Sequence, residues 1–173
     1  VCQEILLQNL LVAKDNSMRH VIDDTDRRIL RVLAADGRIS NSDLAREVGL
    51  SPSPCWQRVR RLEEAGIISG YAAILDHEAL GVGETVLVEV VLDHHDTEAL
   101  ENFARALTAV PEVLEVYLMA GEFDYLLKVA AGGTSDVESF LREKLFRIKG
   151  FRNSRSSFAL RCLKRVVSYV PPA

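Results

Sequence analysis

Between Ile22 and Ile68 the apolar residues fall at helical intervals in three short runs, each fenced by turn-prone residues. Ile22, Ile29, Leu30, Val32 and Leu33 share one helical spacing behind "DDTD", whose Asp24 or Thr25 can cap the first turn, and Asp36-Gly37 stops it. A first helix is predicted over residues 24–35. In "RISNSDLAREVGL" a second, shorter helix is predicted, with Ser40 or Asn41 as cap, Leu44, Ala45 and Val48 inward, and Gly49 supplying the turn. The third run is "SPSPCWQRVRRLEEAGII". Ser51 stands at its N-cap, and Pro52 and Pro54 fall in the first turn, where missing N–H groups have no intrahelical partner to lose. Cys55, Val59 and Leu62 form its core stripe; Ser53, Gln57, Arg60, Arg61 and Glu64 lie on the opposite face, with Trp56 and Arg58 flanking the stripe.

After Gly66 the period changes. "IISGYAAIL" alternates as a strand leaving the helical module, and "DHEALGVGE" has the turn residues of a hinge. A second domain starts near Thr85 with the β-branched strand "TVLVEVVLD". The helix "TEALENFARALTAV" follows, with Leu100, Phe103, Ala104 and Leu107 inward, then the strands "EVLEVYLM" and "YLLKVAA". A second helix, "SDVESFLREKLFRI", turns Val137, Phe140, Leu141 and Leu145 inward and leads to a last strand in "RNSRSSFALRCLK". The order βαββαβ in so short a span is the ferredoxin-like arrangement, an antiparallel sheet with both helices on one face. The fold class is therefore α+β. Alternate apolar residues on the other sheet face point to burial in a dimer.

Composition narrows the function classes. The 173 residues are 48% hydrophobic and 27% charged, a globular balance, and the net charge of −4 argues against a protein that coats polyanions indiscriminately. Any contact with nucleic acid must be local. Cys2, Cys55 and Cys162 are far apart and lack CxxC spacing, so neither a disulfide framework nor a zinc site is suggested, and a reducing cytoplasm fits best. No apolar run reaches the length of a membrane span, and Glu4 sits where a signal peptide would carry a base. Residues 1–21 form an N-terminal extension: Ile5, Leu6, Leu7, Leu10, Leu11 and Val12 can make one short amphipathic helix. Met18 is read as the natural initiator, with a genuine extra docking helix as the competing reading.

Three short helices with a glycine turn before the third make a helix-turn-helix. The third helix is purely basic over 52–62, whereas Asp23, Asp24, Asp26, Asp36, Asp43 and Glu47 sit on the other two helices or their connections. Arginine pairs bidentately with guanine edges or phosphate, glutamine with adenine, and a helix N-terminus favours phosphate. The DNA-binding candidates are Ser51, Ser53, Trp56, Gln57, Arg58, Arg60 and Arg61; Trp56 is as consistent with packing on the helix flank as with touching sugar-phosphate. In the second domain acids dominate 76–138 and bases 142–165, a polarity that suits either a subunit contact or interleaved surface pairs of little weight. "DHHD", Asp93 to Asp96, holds two histidines between two carboxylates, but it falls at a strand-to-helix connection without metal-ligand spacing or a nucleophile, so loop solvation suffices and no enzyme is expected. Cys55 reads as a small buried hydrophobe.

The stretch "IDDTDRRILRVLAADGRISNSDLAREVGLSPSPCWQRVRRLEEAGIISGYAAIL", followed in register by "LMAGEFDYLLKV", resembles the Lrp/AsnC family of leucine-responsive and feast-or-famine regulators, from about Ile22 to Leu163. The resemblance implies a winged helix-turn-helix over 22–68, a hinge strand and linker over 69–84, a ferredoxin-like module for regulation of amino-acid metabolism over 85–163, and a tail over 164–173. It implies a cytoplasmic, bacterial-type transcriptional regulator whose partners are a double-stranded DNA operator, a small amino acid and further copies of itself, as homodimers that build higher oligomers, often octamers. No cofactor is implied beyond the amino-acid effector. That effector is implied to bind between dimers near Met119, Ala120, Gly121, Glu122, Phe123, Asp124 and Tyr125, with Ser156 and Ser157 of "RSSF" approaching it. The turn chemistry agrees, since a zwitterion needs a carboxylate for its ammonium and N–H donors for its carboxylate; taken without the family, it is an ordinary hairpin. Glu122 stands where the family often has aspartate, and the extra methylene bears on ligand size. A different function class remains open on residues alone, an amino-acid-sensing assembly protein whose helix-turn-helix mediates protein contacts.

Overall fold

The computed structural model describes residues 21–172; the apolar run at 5–12 and the Met18 start lie outside the described residues. The chain divides into two compact units, one running to Ala73 and including Val166 onward, the other spanning Ile74–Arg165. The division falls inside the segment expected to be the hinge.

The first unit contains α1 (Asp24–Ala35), α2 (Asn41–Val48) and α3 (Pro52–Glu64). The cap of α1 is Asp23, one residue before the expected Asp24 or Thr25. Asp26 makes the difference: its N–H donates to Asp23 Oδ1 at 2.7 Å while its own Oδ2 accepts from the Asp23 N–H at 3.2 Å, a reciprocal capping box. Ser40 caps α2, accepting from the Asp43 N–H at 3.1 Å, and Gly49 closes it at φ 72°, a left-handed conformation that glycine adopts without penalty. Ser51 occupies the N-cap of α3 as expected, yet its hydroxyl makes no capping bond. Such a hydroxyl bonds the second or third backbone N–H of the helix, and Pro54 at the third position has none. Asn41 Nδ2 instead ties α2 to α3 by donating to the Pro52 carbonyl at 2.9 Å. Ile29, Leu44, Ala45, Val48, Cys55 and Leu62 form the buried core, with Val59, Leu33 and Ile39 packed against it. Burial pushes the Cys55 thiol above its ordinary value.

The expected hinge strand is not formed. Among the described residues, 69–83 carry no ladder hydrogen bonds, and Ile74, Leu75 and Leu80 stand exposed. Asp76 instead organises a turn, its Oδ1 accepting from the Glu78 and Ala79 N–H groups.

The second unit follows the expected order: β1 (Glu84–Leu92), α4 (Thr97–Thr108), β2 (Val113–Leu118), β3 (Tyr125–Ala131), α5 (Thr134–Ser139) and β4 (Phe151–Ala159), with a sheet ordered β2-β3-β1-β4 and every pairing antiparallel. Val86, Val88, Val90 and Leu92 of β1 and Tyr125, Leu127, Val129 and Ala131 of β3 face the helices, where Phe103, Leu107, Val137, Phe140 and Leu145 meet them. Alternation puts Leu87, Val91, Leu126, Ala130 and Tyr117 on the other face, with Leu87 and Tyr117 among the exposed large hydrophobics. The second helix departs from a single regular run. After α5 it widens into a π turn at Phe140–Lys144 and ends in a 3-10 turn at Leu145–Arg147. Phe140 and Leu145 are five residues apart and both buried; the wider i→i+5 turn keeps both on the core side.

Candidate functional site

Helix α3 sorts the DNA-binding candidates into two groups. Ser51, Ser53, Gln57 and Arg60 are exposed along one strip, and Trp56, 51% exposed, lies under the Arg60 guanidinium at 5.3 Å from the ring centre. Arg60 Nε also donates to Glu64 Oε1 at 2.7 Å, an exposed i,i+4 pair of small energetic weight.

Arg58 and Arg61 are engaged elsewhere. Arg58 Nη1 donates to Asp23 Oδ2 at 2.7 Å and to Asp26 Oδ1 at 2.8 Å, and Arg61 Nη2 donates to the Asp26 carboxylate at 2.8 and 3.0 Å. Asp26 is 0% exposed, the one buried charged residue among those described. A carboxylate survives there because two guanidinium groups and the Asp23 N–H meet it. The helical wheel placed Arg61 on the wet face, and its side chain is indeed 47% exposed, but its guanidinium bends back over α1. The Asp26 N–H, and after it Arg58, hold the Asp23 carboxyl below its usual range, while Asp23 and then Asp26 raise Arg58. In the sequence Asp23 and Asp26 stood out only among the acids segregated from the basic third helix, and their distance from Arg58 and Arg61 hid the pairing.

The second candidate region is the β2–β3 turn. The Asp124 N–H donates to the Val90 carbonyl and the Met119 N–H to the Asp124 carbonyl, both at 2.8 Å, so the turn is clamped against the end of β1. Asp124 Oδ2 accepts from the Leu92 N–H at 2.8 Å, and His95 Nε2 lies 3.1 Å from Oδ1 and 3.2 Å from Oδ2. The Asp124 side chain is 16% exposed. Met119, Ala120, Gly121 and Glu122 are exposed, Phe123 is half-buried, and Tyr125 is buried with its hydroxyl donating to the Leu100 carbonyl at 2.7 Å. Burial, and secondarily the Asp124 charge, raises the Tyr125 phenol.

Ser156 and Ser157 are not brought to this turn within one chain. Val90 pairs with Tyr125 on one side and Ser154 on the other, whereas Ser156 sits opposite Val88 and Ser157 opposite Leu87, on alternate faces two strands away from β3. Two strand spacings are about 10 Å. In the "DHHD" stretch, Asp96 caps α4, accepting from the Ala99 N–H at 2.9 Å, and His95 is the Asp124 partner. Among the described residues no group of three or more His, Cys, Asp or Glu is placed to hold a metal ion, and no helix is long and apolar enough to cross a membrane.

Comparison with known proteins assigns both units. Residues 22–69 match the family model described as winged helix-turn-helix DNA-binding, and residues 85–168 match the Lrp/AsnC ligand binding domain. The leucine-responsive regulatory protein of Escherichia coli K12 is 40% identical over 144 residues, which cover 83% of this chain and 88% of that protein. Among solved structures, a transcriptional regulator of Neisseria meningitidis in complex with L-methionine is 36% identical, with a TM-score of 0.82 over 86% of this chain and 96% of that one. An AsnC family transcriptional regulator from Agrobacterium tumefaciens is 35% identical, with a TM-score of 0.81 over 85% and 95%. A feast or famine regulatory protein of Mycobacterium tuberculosis complexed with L-methionine is 32% identical, with a TM-score of 0.76 over 87% and 100%. With a DNA-binding helix-turn-helix and a ligand-binding domain matched in order along one chain, the protein belongs to the Lrp/AsnC family of transcriptional regulators.

Proposed function

We propose that this regulator reads an inverted-repeat operator through the exposed strip of α3 and answers to a small amino acid held at the Gly121–Tyr125 turn. The observation that carries the DNA reading is the division of α3: Ser51, Ser53, Gln57 and Arg60 are left exposed, with Arg60 held only by an exposed pair to Glu64, while the α1 acids Asp23 and Asp26 are paired with Arg58 and Arg61. Arg60 and Gln57 are the base- and phosphate-contacting groups, Ser51 and Ser53 contact phosphate at the helix start, and Trp56 supports Arg60. Arg58 and Arg61 hold α3 in place, with the outer side of Arg61 reaching phosphate.

The chain acts in the cytoplasm as a homodimer, with the open face carrying Leu87, Val91 and Leu126 buried between copies, and the dimers build higher oligomers up to octamers. Two α3 helices then meet successive major grooves about 34 Å apart. Ser156 and Ser157 join the effector site only through such an assembly. The two related structures with bound L-methionine support an amino acid of that kind as effector; no cofactor or catalytic step enters.

Selection from randomised duplexes tests the DNA reading. It should return half-sites one helical turn apart, with affinity falling steeply in salt, and Arg60→Ala should lower the salt slope by about 0.9 per protomer. Sequence-indifferent, salt-independent binding would refute it. A thermal-shift screen against the twenty amino acids tests the effector reading, because a ligand that binds only the folded state must raise the midpoint.

A further inference from the structure

We infer that His95 is a further effector-binding residue, the cation that receives the amino acid's carboxylate, and that Asp124 positions it rather than binding the ammonium itself. The inference rests on the Gly121–Tyr125 turn being the effector site.

Asp124 is already engaged within the chain. One of its oxygens accepts the Leu92 N–H at 2.8 Å, both lie within 3.2 Å of His95 Nε2, and little of the side chain reaches solvent. A carboxylate has further lone pairs, but with its side chain only 16% exposed Asp124 offers little open surface to a ligand ammonium. Glu122, two residues earlier on the same turn, is exposed and makes no hydrogen bond or ion pair among the described residues. It is the free carboxylate.

His95 completes the pair. With Nε2 against Asp124, Nδ1 is the ring's remaining nitrogen, and the His95 side chain is 58% exposed. A protonated ring donates from both nitrogens, one to Asp124 and one to a ligand carboxylate. Glu122 and His95 thus offer an anion and a cation from two adjoining loops, the complement of a zwitterion.

Several other charged groups lie near His95. Asp96 is committed to capping α4, and Asp93 and His94 lie on the same loop. The Asp93 N–H donates to the Gly150 carbonyl at 2.9 Å, which brings the turn flanked by Lys149 and Arg152 beside the loop; Glu98 follows on the first turn of α4, and Glu122 and Asp124 face it from the β2–β3 turn.

The consequence is a pH dependence. An imidazole donates from both nitrogens only as the cation, so affinity for a zwitterion should fall as pH rises. The test first screens the twenty amino acids against the full chain at pH 6, then follows the best binder by calorimetry from pH 5.5 to 8.5. Wild type, His95→Gln, His95→Lys and Glu122→Gln are compared, together with the amide of that amino acid, which lacks the carboxylate. The expected result is affinity falling with pH in wild type. His95→Gln should be weak and flat, His95→Lys should bind with little change across pH 6–8, and the amide should bind weakly and indifferently to pH. Equal affinity of wild type and His95→Gln at pH 6, with Glu122→Gln weakened, would overturn the role of His95 while leaving the site in place. If no amino acid binds wild type at any pH, or Glu122→Gln and His95→Gln both bind as wild type, the turn is not the effector site and the inference falls with it.

Discussion

Asp26→Asn is the substitution that tests most sharply how α3 is held. The carboxylate is fully buried, takes three hydrogen bonds from Arg58 and Arg61 at 2.8 to 3.0 Å, and closes the α1 capping box at 3.2 Å. An asparagine keeps the size and can still accept from the Asp23 N–H, but it leaves two guanidinium groups facing a neutral amide. Removing one partner of a buried ion pair costs about 3–5 kcal/mol. Two features reduce that here: Arg58 keeps Asp23 at 2.7 Å, and Arg61 is half in solvent and can turn outward. The expected cost is therefore about 2 kcal/mol, between the buried and the exposed limits. Trp56 is the one tryptophan of the chain and sits on α3, so its fluorescence follows the first unit without contribution from the second. With a urea slope of about 1 kcal/mol per molar for so small a unit, the Trp56 midpoint should fall by about 2 M. A midpoint within about 0.3 M of wild type, where the same slope implies a negligible cost, would show that Asp26 does not anchor the helix.

Other consequences follow from the same geometry. Cys55, fully buried, should react with a thiol reagent only as fast as the first unit opens, whereas exposed Cys162 should react at once; mass spectrometry of the labelled peptides distinguishes them. Leu145→Ala should destabilise the second unit by about 2–5 kcal/mol without shifting the Trp56 transition, because Leu145 packs in a separate core. Asp23, Asp43, Glu112 and Glu115 all have folded-state values below their ordinary ones, so the native state holds fewer protons. Their contribution is present above the ordinary carboxylate range and is lost as pH falls through the depressed values, so acid unfolding should begin below about pH 4. Asp23→Asn should flatten the acid limb seen by Trp56, and Glu112→Gln, which removes the Lys144 partner, should flatten that of the second unit.

The elements were legible where one face of each packs inward. Ile29, Leu44, Val48, Cys55 and Leu62 keep the helical period, and β1 and β3 alternate without interruption because a core covers only one of their faces. What escaped depends on partners distant in sequence. Arg58 and Arg61 lie more than thirty residues from Asp26, and His95 lies 29 from Asp124, so no local period marks either pairing. The hinge segment alternates in sequence, yet among the described residues 69–83 form no strand, since alternation by itself names no pairing partner. Ser51 was placed correctly and misjudged chemically, since the proline that marks the helix start also removes a donor its hydroxyl would bond. The turn at Met119–Tyr125 was readable through the family resemblance, whereas the commitment of Asp124 to Leu92 and His95 became visible only in three dimensions.

The central claim is that one chain couples an amino acid at the β2–β3 turn to DNA at α3. It is tested most directly by measuring operator affinity with and without saturating amino acid, and amino-acid affinity with and without operator. Linkage requires the two factors to be equal. The account predicts a factor different from one, the same in both directions, and abolished in Glu122→Gln, which should still bind the operator. Operator affinity unchanged by an amino acid that demonstrably occupies the protein would contradict it.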